Sequence, residues 1–511
     1  MKLKIAEWLK KHKDRILNRL DPEDRWIPET PVIGASNIDY DVADRTQAIS
    51  HGGIGAMHLI VKTTGLAEAI DDRLQVLKVH LPYHESDHVL NIAYNILSGG
   101  TCLEDIEYRR NDENFLNALG AKRIPDPTTA GDFCRRFAQP HIEALMAATN
   151  DVRIGVWKQQ PDSFFDEALI DADGTLAPTE GECKEGMDIT YKGTWGYHPL
   201  VISLANTGEP LLIENRSGNR PSSEGAADRF DQAIDLARRA GFRRITLRGD
   251  TDFSQTRHLD RWDADGVEFV FGYDAQPKVV DIAETLPEET WAPLNRKEKY
   301  DIRTEPRARP ENVRLRIIQD REFENLRLLR EEVTEFDYKP SACGKTYRMV
   351  VVRKLISHER GQKVLFAEIR YFFYITNKRE PTPREVVFLA NTRCNQENLL
   401  KELKSGVHAM KLPVQDLNSN WAYMVMASLA LTIKTWFALL IPVQGRWREK
   451  HEAEKREVMH MTFRSFLNAF MAIPAQIVRQ ARRIVFRVLG WKPTLPILFR
   501  TVAALRARLV L

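Results

Sequence analysis

The pattern of hydrophobic and polar positions changes at about residue 165. Before it, in 51–160, apolar residues recur three and four positions apart in segments such as GAMHLIVKTTGLAEAIDDRL and HVLNIAYNILSG. This spacing predicts a domain of amphipathic helices. After it come short apolar runs bounded by turn residues, namely ALIDADGT, LVISL, PLLIE, ITLRGD and VEFVFGY. These runs predict strands with helices between the later ones, so 161–274 are predicted to form an α/β unit.

The pattern changes again toward the C terminus. Residues 275–365 mix charged loops with alternating segments such as VRLRIIQ and YRMVVVRK, which predict strands in a β-rich insertion. The strand FAEIRYFFYITN then opens a second part of the α/β unit, 366–445, and everything after about residue 415 has helical patterning. Residues 1–50 are predicted as a basic helix and a proline-rich linker, and 446–511 as a basic helical region.

One helical segment, WAYMVMASLALTIKTWFALLIPV, is long and apolar enough to cross a bilayer. Lys434 lies inside it, and a charged side chain at the bilayer centre costs about 3 kcal/mol. We therefore interpret the segment as a buried core helix and expect no membrane partner. The opening MKLKIAEWLKKHKDRIL is charged and lacks the apolar core of a secretory signal, so we expect a cytoplasmic protein.

Composition and charge exclude several classes of protein. The 511 residues are 43% hydrophobic and 28% charged, which excludes collagen-like, disordered and disulfide-stapled chains. Five scattered cysteines without a C-x-x-C pair argue against a zinc ribbon. The net charge is only +3, yet 459–511 hold nine Lys and Arg and no Asp or Glu. This asymmetry favours a polyanionic partner, nucleic acid before membrane, with a solvated basic face as the alternative.

One metal motif is a weaker candidate. His84 and His88 fit H-E-x-x-H, in which a helix directs two imidazoles at one zinc ion. A helix capped inside this motif would leave the histidines at the junction of a loop and a helix, a poor place for a rigid metal pair. A zinc protease, with Glu104 or Glu107 as the third ligand, is therefore a minor alternative.

Carboxylates follow two of the predicted strands and recur on a later helix. Asp173 ends the run ALIDADGT and Asp250 ends ITLRGD, so both are predicted at the carboxyl edge of the sheet, where ligands usually bind. Either one alone is explained by a turn or a helix cap. Together with Glu397 they predict a cluster of hard oxygen ligands for two divalent cations. Two such ions about 3.5–4 Å apart catalyse phosphodiester transfer.

Glu397 lies among cations. Arg393, Glu397, Lys401 and Lys404 follow one another at spacings of four, four and three, so a helix would place all of them on one face. A carboxylate in such surroundings suits a metal ligand beside phosphate-binding groups. The alternative is an exposed helix with i,i+4 ion pairs.

The order Asp173, Asp250, Glu397, with the β-rich insertion before the glutamate, resembles the DDE transposases of bacterial insertion sequences. The spacing Arg393-x3-Glu397-x6-Lys404 resembles the R, E and K of their YREK signature, whose tyrosine is replaced here by alanine at position 390. The segments IDADGT, KGTWGYHPLVISL, ENRSGNRPSSEGA, LRGDTDFS and RCNQENLLKELKSG are similar to the thirteen-eighty insertion-sequence family in particular.

The resemblance implies a fold and a set of site residues. The fold would be α/β, with an RNase H-like catalytic core interrupted by the β-rich insertion and flanked by helical N- and C-terminal regions. The catalytic carboxylates, which would bind two Mg²⁺ ions with Mn²⁺ as a substitute, would be Asp173, Asp250 and Glu397. Asp171, two residues earlier and on the same face of a strand, is the alternative first carboxylate. The DNA-phosphate-binding residues would be Arg393, Lys401 and Lys404.

The resemblance also implies an activity and partners. The enzyme would bind the terminal inverted repeats of its element, hydrolyse the ends and join the 3′-hydroxyls to target DNA, by a cut-and-paste route. Its partners would be double-stranded DNA, as repeats and as target, and a second copy of the chain in a synaptic complex. The helical domain 51–160 and the basic region 446–511 would bind DNA or dimerise. The alternatives are a catalytically inactive DNA-binding descendant and a metal-dependent nuclease without strand transfer.

Overall fold

The structure is a computed structural model that describes residues 2–20, 38, 46–78, 82–296, 313–361, 363–480 and 483–508. Its α-helices are α1 (Lys2–Leu20), α2 (Ile54–Thr64), α3 (Leu66–Arg73), α4 (Glu85–Leu97), α5 (Ile106–Arg110), α6 (Glu113–Leu119), α7 (Pro127–Cys134), α8 (Gln139–Trp157), α9 (Ala226–Ala240), α10 (Leu259–Ala264), α11 (Pro277–Thr285), α12 (Val313–Asp320), α13 (Pro383–Asn391), α14 (Cys394–Lys401), α15 (Leu417–Leu439), α16 (Arg448–His460), α17 (Phe463–Phe466) and α18 (Leu495–Arg508). The predicted linker after α1 lies mostly outside the described residues.

The strands alternate with these helices. They are β1 (Ala48–Ile49), β2 (Glu167–Gly174), β3 (Ala177–Pro178), β4 (Asp188–Ile189), β5 (Trp195–Tyr197), β6 (Leu200–Leu204), β7 (Glu209–Glu214), β8 (Arg244–Gly249), β9 (Glu268–Tyr273), β10 (Ala292–Pro293), β11 (Glu324–Tyr338), β12 (Tyr347–Arg360), β13 (Lys363–Thr376), β14 (Ala475–Gln480) and β15 (Arg483–Val488). The chain divides into two compact units. The first unit comprises Met1–Gln160, Thr179–Gly186 and Lys401–Leu511, and the second comprises Pro161–Pro178 and Met187–Leu400.

The second unit is built on a nine-stranded mixed sheet in the order β10-β11-β12-β13-β9-β8-β2-β6-β7. Strands β2, β6 and β7 form an antiparallel meander, as the hairpin signal around Asn206-Thr207-Gly208 predicts. Strand β8 then runs parallel to β2, and β9 runs parallel to β8. The carboxyl ends of β2, β8 and β9 therefore meet at one edge of the sheet, which confirms the predicted α/β unit.

The strands that follow extend this same sheet. Strand β13 pairs antiparallel with β9, and β12 and β11 add outside it, so YRMVVVRK and FAEIRYFFYITN are confirmed as strands. The prediction of a strand for VRLRIIQ is wrong, because this segment forms α12. An apolar run of seven residues carries both periodicities, and its length alone cannot separate a strand from a helix.

The first unit is organised around helix α15. Nearly all of its residues are buried, and α2, α4, α7, α8 and α16 pack against it. The Asp416 carboxylate caps its start by accepting the Ser419 N–H at 2.8 Å. The Lys434 ammonium donates to the Met459 carbonyl at 2.8 Å, so its charge is solvated by backbone. Among the described helices α15 alone is long and apolar enough for a bilayer, and its burial confirms the prediction of a core helix.

The prediction that the chain after residue 415 is wholly helical is wrong at one place. Strands β14 and β15 form a hairpin, and β1 pairs with the other side of β14. The segments AQIVRQ and RIVFRV are short and rich in the β-branched residues Ile and Val, which favours strands. They have no strict alternation of apolar and polar positions to distinguish them from the helical patterning around them.

Candidate active site

The two predicted aspartates lie together at the carboxyl edge of the sheet. Asp173 is near the end of β2, and Asp250 directly follows the parallel neighbour β8. One arginine bridges them. The Arg393 Nη1 lies 3.2 Å from the Asp173 Oδ2, and its Nη2 lies 3.7 Å from the Asp250 Oδ2. The prediction that Asp173, Asp250 and Arg393 belong to one site is therefore consistent with their positions.

The ionised forms of both carboxyl groups are disfavoured at this position. Burial raises the pKa of Asp173 to about 6, the Arg393 guanidinium opposes that rise, and the charge of Asp250 adds to it. Burial likewise raises the pKa of Asp250, against the lowering effect of Arg393. Desolvation and a like charge both penalise the ionised form. The pair consequently needs a cation to carry two negative charges, and Arg393 is the cation present.

Asp171, the alternative first carboxylate, has a different environment. Its side chain and that of Arg248 are each 1% exposed. The Arg248 Nε and Nη2 donate to the two Asp171 oxygens at 2.7 and 2.8 Å, a bidentate pair between directly paired residues of β2 and β8. Both carboxylate oxygens are thus used inside the protein. This geometry favours a structural role for Asp171.

Arg248 also positions the turn that carries Arg393. Its Nη1 donates to the Leu389 carbonyl at 2.9 Å and to the Thr392 hydroxyl, at the end of α13. The residue after Thr392 is Arg393 itself. One buried guanidinium therefore ties β2, β8 and the end of α13 together just behind the two aspartates. Sequence reasoning missed Arg248, although Asp171 and Arg248 each lie two residues before a predicted catalytic aspartate.

Gln396 is a second residue that the sequence analysis missed. It is 2% exposed at the start of α14, where its Nε2 donates to the Val201 carbonyl at 3.2 Å and its Oε1 accepts from the Ser203 hydroxyl. Val201 is the direct β6 partner of Asp173. The beginning of α14 is therefore docked on the strand beside the first aspartate, with Glu397 as the next residue.

Glu397, the predicted third carboxylate, does not contact the two aspartates. Glu397 is exposed in the first turn of α14 and makes no hydrogen bond or ion pair with the rest of the described chain. Glu402, which follows α14, is already engaged, since its Oε2 accepts the Phe463 N–H at 2.8 Å within the first unit. Glu397 is thus the glutamate with its carboxylate available for a ligand.

Arg393, Glu397, Lys401 and Lys404 do not share one helix, so the expectation that one helical face carries these four residues is not met. Arg393 lies in the turn between α13 and α14, and Lys404 lies in a π-helical turn, Glu402–Gly406, that follows α14. Only Glu397 and Lys401 share the regular helix. A π-turn inserts an extra residue per turn and so rotates the residues after it. Lys401 and Lys404 are both exposed.

The H-E-x-x-H motif does not form a zinc site. His84 is the N-cap residue of α4, and its N–H donates to the Asp87 carboxylate at 2.9 Å. His88 is buried, stacked on Phe133 with ring centroids 4.3 Å apart. The histidines thus lie at a loop-to-helix junction as predicted, although the cap is His84 rather than a later residue. Searching the described residues finds no group of three His, Cys, Asp or Glu that could hold a metal.

The aspartate pair fits a divalent cation in donor chemistry but supplies only part of a metal site. Carboxylate oxygens are the ligands that Mg²⁺ prefers. A single guanidinium reaches one oxygen from each aspartate, so the two carboxylates face a common cation position. A complete site needs a further ligand, which Glu397 does not supply in this conformation.

The geometry thus places two carboxylates and an arginine together at the edge of a mixed α/β sheet. The family model for transposase DDE domain group 1 matches residues 34–509. The chain belongs to this family and is a DDE transposase. No curated protein is a detectable relative.

Among solved structures, the chain is similar to the piggyBac transposase in a cryo-EM structure of its synaptic complex with hairpin DNA. The two share 12% identity over 82% of this chain and 81% of that chain, with a TM-score of 0.36. A likeness this distant carries no argument about the present protein.

Proposed function

We propose that this chain is the transposase of a bacterial insertion sequence of the thirteen-eighty type, which cleaves DNA at the terminal inverted repeats and joins the 3′-hydroxyls to target DNA. The observation that carries the proposal is the partly buried pair Asp173 and Asp250, placed at the carboxyl ends of parallel strands and bridged by Arg393. Membership of a DDE transposase family supports it. The strand order, an antiparallel meander followed by two parallel strands on its other side, supports an RNase H-like core.

Asp173 and Asp250 would hold divalent cations, with Glu397 as the third carboxylate. Two bound Mg²⁺ or Mn²⁺ ions activate a water or a 3′-hydroxyl and stabilise the leaving oxygen of a phosphodiester. Arg393 neutralises the aspartates of the free protein. Bound cations would balance the aspartate charges in its place. The Arg393 guanidinium would then be available to bind a phosphate beside the scissile bond, because arginine binds phosphate bidentately.

The remaining basic residues and the assembly complete the proposal. Lys401 and Lys404 would bind phosphates that flank the cut, and the helical domain and the C-terminal region would hold double-stranded DNA. Two ends must be cut in concert, so the active species would be a homodimer in a synaptic complex, acting in the cytoplasm.

The test uses the gene's own flanking DNA in a supercoiled plasmid, incubated with the full chain in Mg²⁺ or EDTA. Breaks are mapped to the nucleotide, and joined products are sequenced. We expect metal-dependent breaks at two inverted repeats, absent in Asp250→Asn and present in the matched control Asp252→Asn. Binding without cleavage would favour an inactive descendant, and cleavage without joined products would favour a nuclease. Failure to bind or cut the flanks would overturn the proposal.

A further inference from the structure

The hairpin of β14 and β15 presents an unusual outer face. In its register Gln476 pairs with Arg487 and Gln480 pairs with Arg483, with Val478 and Val485 as the pair between them. Directly paired residues of two antiparallel strands point to the same side, and alternate pairs share that side. This face therefore carries, in order along the ribbon, a glutamine–arginine pair, a valine–valine pair and a second glutamine–arginine pair.

The opposite face fixes the hairpin to the first unit. Ala475 and Ile477 are buried, and the Phe486 ring packs directly on α2, where a Cβ added to Gly55 would lie 2.6 Å from it. The Ile477 N–H donates to the Gln47 carbonyl at 2.8 Å, before β1. The inner face is thus held rigidly, which leaves the glutamine–arginine face directed outward. On that face the side chains of Gln480, Arg483 and Arg487 are exposed.

The charge of this face is not balanced by acidic neighbours. The segment 459–511 contains no Asp or Glu. Arg487 donates to the Gln476 side-chain oxygen at 3.1 Å, and among the described residues neither Arg483 nor Arg487 forms an ion pair. A rigid, two-stranded, cationic ribbon with polar and methyl-bearing side chains has the charge and the shape of a DNA-binding surface.

We infer that this outer face binds in the major groove of the element's terminal repeats and reads their sequence. The inference rests on the proposed function and names the part of the chain that recognises the DNA ends. The major groove admits a two-stranded β-ribbon, arginine pairs bidentately with guanine, glutamine pairs with adenine, and apolar side chains contact the thymine methyl. Each of these side-chain types lies on this one face, and no carboxylate lies among them.

The register also sets a spacing. Arg483 and Arg487 are four residues apart on β15, so their Cα atoms are separated by about 13 Å at the usual rise of a strand. That distance corresponds to about four base pairs at about 3.4 Å each. The two arginines should therefore specify two base pairs of the repeat that are about four positions apart.

The test measures binding of the full chain, carrying Asp250→Asn to prevent cleavage, to the gene's flanking DNA and to a scrambled fragment of equal composition. Three double variants are compared. They are Arg483→Lys/Arg487→Lys, Arg483→Ala/Arg487→Ala, and the control Arg238→Ala/Arg239→Ala, which changes two exposed arginines of helix α9. The lysine variant keeps the charge but loses the bidentate geometry. Thermal melts check that each variant is folded.

We expect the lysine variant to lose discrimination between the two DNAs by about tenfold per arginine, with its salt dependence unchanged. The alanine variant should also lose discrimination between the two DNAs. Its plot of log binding constant against log salt concentration should be shallower, by about one unit of slope for each phosphate that the protein no longer neutralises. The control should bind as the parent does. In single variants, binding to randomised repeats should relax at one base pair for Arg483→Lys and at another, about four positions away, for Arg487→Lys.

Several outcomes would overturn the inference. A lysine variant that discriminates like the parent would show that the arginines bind phosphates only. An alanine variant that binds like the control would show that this face does not touch DNA. If the parent prefers the flanking DNA over the scrambled fragment and the variants keep that preference, only the inference about the hairpin is refuted. If the parent shows no preference for the flanks, the proposed function falls with it.

Discussion

The buried pair of Arg248 and Asp171 allows stability and catalysis to be separated. In Arg248→Met the Asp171 carboxyl group, 1% exposed, loses both of its donors. Breaking a buried ion pair from one side costs about 3–5 kcal/mol. The missing bonds to the Leu389 carbonyl and the Thr392 hydroxyl add about 1 kcal/mol each. Whole domains are stable by only about 5–15 kcal/mol, so a loss of about 5–7 kcal/mol should destabilise this variant severely.

The double variant Arg248→Met/Asp171→Leu should behave differently. Replacing both partners of a buried ion pair by apolar residues of similar shape is often neutral or stabilising. We therefore expect a free energy of unfolding within about 2 kcal/mol of the parent. Metal-dependent cleavage should still fall by at least about tenfold, because the turn that carries Arg393 loses its tether to β8 and a small misplacement of a positioning group is costly.

Hydrogen–deuterium exchange of peptides from β2 and β8 measures the stability of the sheet itself, and the plasmid assay measures cleavage. Arg353→Met/Glu332→Leu is the matched control, because it replaces another buried arginine–carboxylate pair of the same sheet, 2.7 Å apart, that makes no hydrogen bond to α13 in the described chain. It should keep its cleavage. A double variant of Arg248 that cleaves like the parent, or a single variant with parental protection, would refute the reasoning.

Three further predictions concern the site. At pH 8, Asp173→Asn should raise the melting temperature in metal-free solution and abolish cleavage in Mg²⁺. Asp173 has a pKa of about 6 in the folded chain and about 3.9 in the unfolded chain. Its contribution to the free energy of unfolding therefore declines by up to about 3 kcal/mol as the pH rises through that window. An unchanged or lower melting temperature of the variant would contradict this. Binding of Mn²⁺, followed by electron paramagnetic resonance, should weaken by about tenfold per pH unit below about 6, because the ligand must lose its proton; a flat profile between about pH 5 and 6 would count against Asp173. Finally, Gln396→Ala should lower cleavage by at least about tenfold with DNA binding intact, since α14 loses its bonds to β6; parental cleavage would show that this docking is not needed.

The sequence predicts the α/β unit well because its signals are local. Short apolar runs, a hairpin signal and a carboxylate after each of two strands are all read within a few residues, and parallel pairing brings Asp173 and Asp250 to one edge. The seven-residue run VRLRIIQ and the hairpin at β14 are misread because short segments carry two periodicities at once. The π-turn that displaces Lys404 depends on packing, which spacing cannot reveal.

The parts of the site that escape sequence reasoning are held by long-range polar contacts. Arg248 reaches Leu389 across 141 positions, and Gln396 reaches Val201 across 195. Nothing in the local pattern marks a buried arginine or glutamine as a tether, because such side chains are usually exposed. The parallel register of β2 and β8 places Asp171 and Arg248 opposite each other. A search for opposite charges two residues before each predicted catalytic aspartate would find this pair.

The position of α15 in the chain has a consequence for biosynthesis. Helices α2, α4, α7 and α8 are complete by Trp157, yet the apolar helix on which they pack, Leu417–Leu439, is synthesised only after the whole second unit. At about 5–20 residues per second, the ribosome needs roughly 15–55 s to cover that interval. During this time the apolar surfaces that pack on α15 are exposed, so the nascent chain is prone to aggregate. A chain truncated before residue 417 would stay in that state, so premature termination yields an insoluble product rather than a DNA-binding fragment.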